Sequence, residues 1–248
     1  MNYKIQGKGK PLLLIPGLGG CLKSFDPLMP FLQGFKVIRF DPRGCGESES
    51  FTKETEDSLL SEIVSLIKET TTEKINILGN SFGGVLARIL GVQNEEIINK
   101  VILVATEPNL ARVVYGEKIK PSVGKGASPK ERTKAWLKSF SSKGWKERDP
   151  HGFLKAVAYY SQNEALAQTQ KIQREFVLNN GREGLPENLR KETLIIHGDS
   201  DPLVPFENAQ IMKNLIERST LEKVSSCGHM VIWEYPELVG KLIGGFVL

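Results

Sequence analysis

The sequence has few of the features that would cross-link the chain or anchor it in a bilayer. Only three of its 248 residues are cysteines, Cys21, Cys45 and Cys227, and their number and spacing fit neither a disulfide framework nor a zinc site. No apolar run approaches the ~18 residues of a membrane-spanning helix, and the first residues lack the apolar segment of a secretory signal. We therefore expect a reduced, cytoplasmic protein without a membrane span.

The composition is that of a globular protein, with 40% hydrophobic and 25% charged residues, which is too apolar for a disordered chain. The net charge of +4 is unevenly distributed. Residues 107–180 carry 14 Lys or Arg against 7 Asp or Glu, and the rest of the chain carries 19 against 22. Because the basic residues are interspersed with acidic ones and no nucleic-acid-binding motif accompanies them, we expect no nucleic-acid partner.

Short apolar runs alternate with helical patterns over the first hundred residues, which is typical of a mostly parallel, doubly wound α/β sheet. Between residues 107 and 185 the strand signals stop and helical stripes replace them. The pattern predicts an α/β core at residues 1–106 and 186–248, interrupted by a helical lid at 107–185. Strands are predicted at residues 4–6, 12–15, 36–40, 75–78, 101–104, 193–197 and 221–224.

The strongest local signal is the segment GNSFG at residues 79–83, which fits G-x-S-x-G between an apolar strand and a helical run. Such a turn presents the serine hydroxyl at the end of a sheet and at the positive N-terminus of a helix. Gly79 and Gly83 allow the sharp bend because they lack a Cβ atom. We predict Ser81 as a nucleophile; the alternative is a glycine-rich turn that binds an anion or only packs.

A serine nucleophile needs a general base, and the sequence contains only three histidines. His229 lies in a loop after the last predicted strand and is the predicted base. His197 ends a strand directly before a glycine, a position that favours a structural hydrogen bond. His151 lies in the basic middle segment, where we expect it to be solvated.

The base needs a carboxylate that orients it. The segment HGDSDP at residues 197–202 follows a predicted strand and offers two aspartates. Asp201 lies further into the loop and can turn toward His229, whereas Asp199 is better placed to cap the turn. Glu107, which follows the preceding strand, is a third candidate. We predict Asp201 as the orienting acid.

Five short motifs, in this order along the chain, resemble those of the α/β-hydrolase superfamily. The first resembles the family's oxyanion loop, the third its nucleophile elbow, and the last two its acid and base loops. Ser81, Asp201 and His229 also follow the order of the family's catalytic residues. The motifs are PGLGG at 16–20, DPRGCGES at 41–48, GNSFG at 79–83, HGDSD at 197–201 and GH at 228–229.

The resemblance implies an α/β-hydrolase fold with a helical lid inserted late in the sheet. It places the oxyanion donors on the backbone N–H groups of Leu18 and Phe82, and it implies no metal and no other cofactor. Pro16 stands where many members have histidine, which leaves open how the oxyanion loop is braced. Serine at position 81 argues against haloalkane dehalogenases and epoxide hydrolases, whose elbow carries aspartate.

The function implied by the resemblance is hydrolysis of a small-molecule carboxylic ester or thioester with a small-to-medium acyl group. Several alternatives share the same three residues: C–C bond hydrolases, lactonases, perhydrolases, and methyl ester esterases that act on an acyl-carrier-bound substrate, similar to the pimeloyl-carrier enzymes. A non-enzymatic ligand receptor on the same fold is a further alternative, and turnover of simple esters separates it from the enzymes.

The predicted lid contributes two kinds of residues. Its aromatic side chains are candidates for lining an acyl pocket, and the alternative is that they pack the lid against the core. Three lysines are predicted to face solvent from the same helical stretch, and they suggest an acidic acyl carrier protein as a partner. The aromatic residues are Trp136, Phe140, Phe153, Tyr159 and Tyr160, and the lysines are Lys130, Lys134 and Lys138.

Overall fold

The computed structural model describes residues 1–55, 57–109, 111–116, 123–124, 126–163, 165, 167–180 and 185–248. Within these ranges seven strands form one sheet in the order β1-β3-β2-β4-β5-β6-β7. β1 runs antiparallel to β3 and the other pairs are parallel. The strands are β1 (Tyr3–Gln6), β2 (Lys10–Ile15), β3 (Phe35–Phe40), β4 (Ile75–Asn80), β5 (Ile98–Val104), β6 (Thr193–Gly198) and β7 (Ser219–Val224).

Helices cover both faces of this sheet, so its central strands consist almost entirely of buried apolar residues. One face packs against α1, α2, α6 and α7, and the other packs against α9. The predicted α/β-hydrolase fold is thereby confirmed. The helices are α1 (Leu59–Thr70), α2 (Phe82–Gln93), α3 (Pro129–Phe140), α4 (Trp145–Arg148), α5 (Pro150–Gln162), α6 (Ala167–Asn180), α7 (Glu207–Leu215), α8 (Val231–Glu234) and α9 (Pro236–Val247).

Among the described residues, helices α3 to α6 lie between β5 and β6 in the sequence. We call residues 129–180 the helical segment. Helices α3, α4 and α5 share a separate apolar cluster with α8, built around the buried side chains of Trp145 and Phe153. Helix α6 differs from them because Phe176 packs into the main core beside the sheet. None of the helices in the described ranges is long and apolar enough to cross a bilayer.

The parallel strands all point their carboxyl ends toward the same edge of the sheet, where ligands bind in open α/β folds. Four of the loops that start at this edge, those after β2, β4, β6 and β7, bear on the predicted site. They contain the predicted oxyanion, nucleophile, acid and base residues, respectively. The topology therefore gathers residues that lie more than a hundred positions apart in the sequence.

Candidate active site

Ser81 lies at the sharp turn between β4 and α2, and its backbone is strained. Its φ angle is +52° and its ψ angle is −117°, a combination that residues with a side chain rarely adopt. Ser81 N–H donates to the carbonyl of Val104 (2.8 Å), and Thr106 Oγ1 donates to the carbonyl of Ser81 (2.7 Å). A Cβ atom on Gly79 would lie 2.1 Å from the carbonyl oxygen of Gly83, so this close approach requires glycine.

The side chains of Ser81, His229 and Asp201 form one hydrogen-bonded row. His229 Nε2 lies 3.1 Å from Ser81 Oγ, and His229 Nδ1 lies 2.7 Å from Asp201 Oδ2. Because a carboxylate can only accept, the second contact places the ring proton on Nδ1 and leaves a lone pair on Nε2 facing the serine. The structure thus brings together the three residues predicted as nucleophile, base and acid.

Asp201 is buried and meets donors on both carboxylate oxygens. The N–H groups of Leu203 and Val204 donate to Oδ1 at 2.9 Å each, and Oδ2 lies 3.3 Å from His197 Nε2 in addition to its contact with His229. Burial alone would raise the pKa of Asp201, but the charge of His229 and the hydrogen bonds from both histidines lower that pKa below its ordinary value. The carboxyl is therefore ionised at neutral pH.

The two nearest alternatives to these residues have structural partners. His197 is fully buried, and its Nε2 lies 2.8 Å from the carbonyl oxygen of Val204, the kind of bond expected at the end of a strand. Asp199 accepts from the N–H of Ser226 and the hydroxyl of Ser200, both at 2.9 Å. Asp199 therefore caps the turn.

The other two alternatives, Glu107 and His151, lie apart from the row. Glu107 is half-buried; burial raises its pKa against the opposing charges of Arg88 and His229. Within the described ranges no hydrogen bond joins Glu107 to His229. His151 is exposed near the start of α5.

The loop that carries His229 is fastened to the helical segment. The N–H of His229 donates to the carbonyl of Phe140 at 2.7 Å. The buried carboxylate of Glu234 accepts from the N–H groups of Gly228 (3.0 Å) and Ser142 (3.2 Å). Burial raises the pKa of Glu234, and these hydrogen bonds oppose that rise. The position of the imidazole therefore depends on the end of α3.

Leu18 lies in the loop after β2, next to Gly17, and Phe82 directly follows Ser81 as the first residue of α2. Residues 17–20 form a tight turn closed by the bond from Gly20 N–H to the Gly17 carbonyl (2.9 Å), and a Cβ atom on Gly17 would lie 3.6 Å from the Cβ of Ser81. In the part of the chain that the structure describes, neither Leu18 N–H nor Phe82 N–H donates a hydrogen bond. Both groups are thus available to an anionic oxygen.

A cavity of about 700 Å³ opens onto Ser81 and His229. Arg132 and Arg174 line it, and no acidic residue does among the described residues. The space is therefore mainly apolar and carries positive charge. Its aromatic and aliphatic wall includes Trp136, Phe140, Tyr160, Met230, Ile232 and Trp233.

Two of the five aromatic residues predicted to line the acyl pocket lie elsewhere. The ring of Phe153 packs against Trp145 at 5.2 Å between centroids, inside the cluster of the helical segment. The hydroxyl of Tyr159 lies 2.6 Å from Ser24 Oγ and joins α5 to the loop after β2. The prediction is therefore wrong for Phe153 and Tyr159, because helical spacing gives the buried face of a helix but not the neighbour that it meets. Trp136, Phe140 and Tyr160 do line the cavity.

The three cysteines lie outside the hydrogen-bonded row. All are buried and free. Burial raises the pKa of Cys45 to about 12 and also raises that of Cys227, so both are thiols at neutral pH. Among the described residues, no group of three His, Cys, Asp or Glu side chains is placed to hold a metal ion.

Three residues at or near the site, Arg132, Arg174 and Gln173, are not among those predicted from the sequence. The first two look like ordinary surface residues of a basic helix, and nothing in their spacing marks them as facing a cavity. Gln173 does carry a signal in the sequence, because it lies one helical turn before the apolar residue Phe176. A polar residue on the buried face of a helix needs a partner.

Comparison with protein families identifies the class of this chain. The sequence model of the family described as alpha/beta hydrolase fold matches residues 10–236. The matched range contains Ser81, Asp201 and His229. The chain therefore belongs to the α/β hydrolase fold family.

Individual relatives agree with this membership. The chain is 28% identical to the 2-hydroxy-6-oxo-6-(2'-aminophenyl)hexa-2,4-dienoic acid hydrolase of Metapseudomonas resinovorans, over 95% of this chain and 83% of that protein. It is 25% identical to the 2-hydroxymuconate semialdehyde hydrolase of Pseudomonas sp. strain CF600, over 99% and 89%. The crystal structure of the enol-lactonase from Burkholderia xenovorans has the same fold, with a TM-score of 0.79, 19% identity, and 99% and 95% coverage. The family membership and the two hydrolases of Metapseudomonas resinovorans and Pseudomonas sp. support an enzyme of the hydrolase class.

Proposed function

We propose that this protein is a serine hydrolase that cleaves a carboxylic ester or thioester with a small-to-medium acyl group through an acyl-enzyme. One observation carries the proposal: the row from Ser81 Oγ through His229 to Asp201, with its contacts of 3.1 and 2.7 Å, opens into a mainly apolar cavity. This is the arrangement by which a neutral imidazole activates a hydroxyl.

In the proposed reaction, His229 Nε2 takes the proton from Ser81 Oγ as the oxygen attacks the carbonyl carbon of the substrate. The imidazolium then gives this proton to the departing alcohol or thiol, which leaves an acyl-enzyme. His229 then takes a proton from water as the water oxygen attacks the acyl carbon, and the imidazolium returns that proton to Ser81 Oγ as the acyl–oxygen bond breaks and the acid leaves. Asp201 holds the reactive tautomer and stabilises the positive ring in both steps.

Leu18 and Phe82 supply the oxyanion hole in this mechanism. Their N–H groups have no other acceptor among the described residues. Leu18 follows Gly17, which approaches Ser81, and Phe82 is the first residue of α2. The positive end of the helix adds to the stabilisation of the negative oxygen.

A panel of nitrophenyl esters from acetate to dodecanoate tests the proposal. Because the cavity is mainly apolar and about 700 Å³ in volume, we expect kcat/KM to rise from acetate to a medium chain and to fall for the longest acids. The alternative of a non-enzymatic receptor requires that the wild type turn over none of these esters faster than Ser81→Ala does.

A second candidate is hydrolysis of an anionic dienoic acid, and the two arginines of the cavity favour it. Arg132 and Arg174 line the space beside Ser81 without an acidic neighbour there among the described residues. The name of the Metapseudomonas resinovorans relative also specifies an acid as its substrate. A guanidinium binds a carboxylate through two parallel hydrogen bonds.

The double variant Arg132→Gln/Arg174→Gln tests this second candidate. We expect its kcat/KM to fall ~10-fold or more for 2-hydroxymuconate semialdehyde and for a nitrophenyl ester with a free carboxylate on the acyl chain. A neutral ester of equal length retains its rate. The matched control is Arg190→Gln/Arg218→Gln, which removes the same charge from exposed positions near the amino ends of β6 and β7. Equal loss for charged and neutral substrates contradicts this candidate.

An acidic acyl carrier as the partner is a third, separate proposal. Lys130, Lys134 and Lys138 are exposed on α3, whose other side lines the cavity. A positive field at this place accelerates association with an anionic carrier, and salt screens it over ~10 Å at 0.1 M.

Changing these three lysines to glutamate should lower kcat/KM for a carrier-bound methyl ester ~10-fold at low salt and leave a free methyl ester unchanged. The control variant carries glutamate at Lys8, Lys10 and Lys74, which are exposed at the amino ends of the strands. Equal rates for the two triple variants with the carrier substrate would contradict the carrier proposal. The three lysines of α3 would then contribute only to solubility.

A further inference from the structure

Gln173 is fully buried in the middle of α6, and both polar atoms of its side-chain amide have partners. Its Oε1 accepts from the N–H of Gly19 at 2.8 Å, and its Nε2 donates to Cys45 Sγ at 3.7 Å. Because Cys45 is a neutral thiol, the second contact is weak. The bond to Gly19 is therefore the stronger reason for an amide at this position.

The bond reaches the turn that carries one of the proposed oxyanion donors. Residues 17–20 are closed on one side by the Gly20 to Gly17 hydrogen bond, with Leu18 and Gly19 at the centre and a φ of +66° at Gly19. Gln173 holds the other side of the same turn. Leu18 N–H belongs to the Gly17–Leu18 peptide unit, which lies inside the same closed turn, so its direction depends on how the turn is oriented.

Helix α6 is a firm support for this contact. Phe176, one turn further along, is buried in the main core beside the sheet. Thr169, one turn earlier, donates from its Oγ1 to the carbonyl of Gly44 at 3.4 Å. A Cβ atom on Gly19 would come within 3.2 Å of the side chain of Ala165, so the turn lies directly against the residues that lead into α6.

We infer that Gln173 is a positioning residue for the oxyanion hole: it fixes the turn at residues 17–20 so that Leu18 N–H points at the reacting carbonyl oxygen. The inference rests on the proposed function. It makes α6 a fixed part of the catalytic site, although the sequence places this helix in the same insertion as α3 to α5. The side chain of Pro16 cannot form a hydrogen bond to the loop. Gln173 supplies such a bond through its contact with Gly19 N–H.

The test compares Gln173→Met with Gln168→Met. Methionine nearly matches glutamine in length and removes the accepting oxygen, and Gln168 is an exposed residue of the same helix. We expect kcat/KM for a short nitrophenyl ester to fall ~10-fold in Gln173→Met, less than the 10²–10³ that loss of a whole oxyanion donor costs. Gln168→Met stays within about twofold of the wild type.

A pair of ketone inhibitors separates positioning from a merely structural role. A trifluoromethyl ketone is attacked by Ser81 and forms a tetrahedral adduct with a negative oxygen, whereas the matching methyl ketone binds without forming that adduct. We expect the inhibition constant of the fluorinated compound to rise ~10-fold in Gln173→Met and that of the methyl ketone to change by less than about twofold. Equal changes for both ketones, or none, overturn the inference.

Amide hydrogen exchange gives a readout that does not depend on activity. Gly19 N–H is protected in the wild type if Gln173 holds it, and it exchanges faster in Gln173→Met while the amides of β4 do not. Rapid exchange of Gly19 in the wild type overturns the inference even if the variant does not fold. An active Ser81→Ala would instead overturn the proposed function, so the two failures are distinguishable.

Discussion

Replacing Ser81 by alanine should lower kcat for a short-chain nitrophenyl ester by ~10⁴-fold or more. The change removes the only atom that attacks the substrate in the proposed mechanism and leaves the cavity intact. Alanine adopts the strained turn no less easily than serine, and the backbone bonds to Val104 and Thr106 do not involve the hydroxyl. The purified variant should therefore show the wild-type circular dichroism spectrum and urea midpoint.

Ser226→Ala is the matched control for this experiment. Ser226 is another serine with a positive φ angle, +54°, and it is exposed in the loop before His229. Its side chain does not line the cavity, so the variant should retain turnover within about twofold. A folded Ser81→Ala protein that hydrolyses esters at the wild-type rate would exclude Ser81 as the nucleophile.

The fold could be read from the sequence because its signals are local. Every predicted strand overlaps an observed one, for example residues 75–78 within β4 (Ile75–Asn80), since strands buried on both faces appear as unbroken apolar runs. The turn at Ser81 was equally visible, because the strained backbone and the close approach of Gly79 to Gly83 require particular residue types.

The walls of the cavity could not be read in the same way. Tyr159 and Tyr160 are neighbours in the sequence, yet Tyr159 bonds to Ser24 and Tyr160 lines the cavity. Which of two adjacent aromatic residues lines the cavity is decided by the packing of α5 against other elements, and no local pattern contains that information. The same holds for Gln173, whose partner Gly19 lies 154 positions away.

The orienting acid could be narrowed from the sequence to three carboxylates, and only the packing of distant loops selects one of them. The sequence offered Asp201, Asp199 and Glu107, and only packing between the loops after β6 and β7 decides among them. In the structure, His229 Nδ1 lies 2.7 Å from Asp201 Oδ2, Asp199 is occupied with the N–H of Ser226, and Glu107 interacts with Arg88. We therefore expect clearly different losses of kcat when each of the three carboxylates is made neutral.

Asp201→Asn should lower kcat by about 10⁴-fold, far more than the corresponding changes at the other two carboxylates. The amide introduced by this change would keep an oxygen for the N–H groups of Leu203 and Val204, which leaves its NH₂ group facing His229 Nδ1 and His197 Nε2. Facing a donor, His229 moves its proton to Nε2 and can no longer accept one from Ser81. His197 Nε2–H donates to the carbonyl of Val204, so it too would place a donor against the NH₂ group.

The measurement is kcat at neutral pH for Asp201→Asn, Asp199→Asn and Glu107→Gln, each compared with the wild type. Asp199→Asn keeps an accepting oxygen for the N–H of Ser226, so we expect a loss of less than about fivefold. Glu107→Gln removes a charge that acts on His229 from a distance, and we expect a loss of about tenfold at most. If Glu107→Gln is the crippling change and Asp201→Asn is not, the orienting acid lies after β5, and the hydrogen bond between His229 and Asp201 serves only to hold the two loops together.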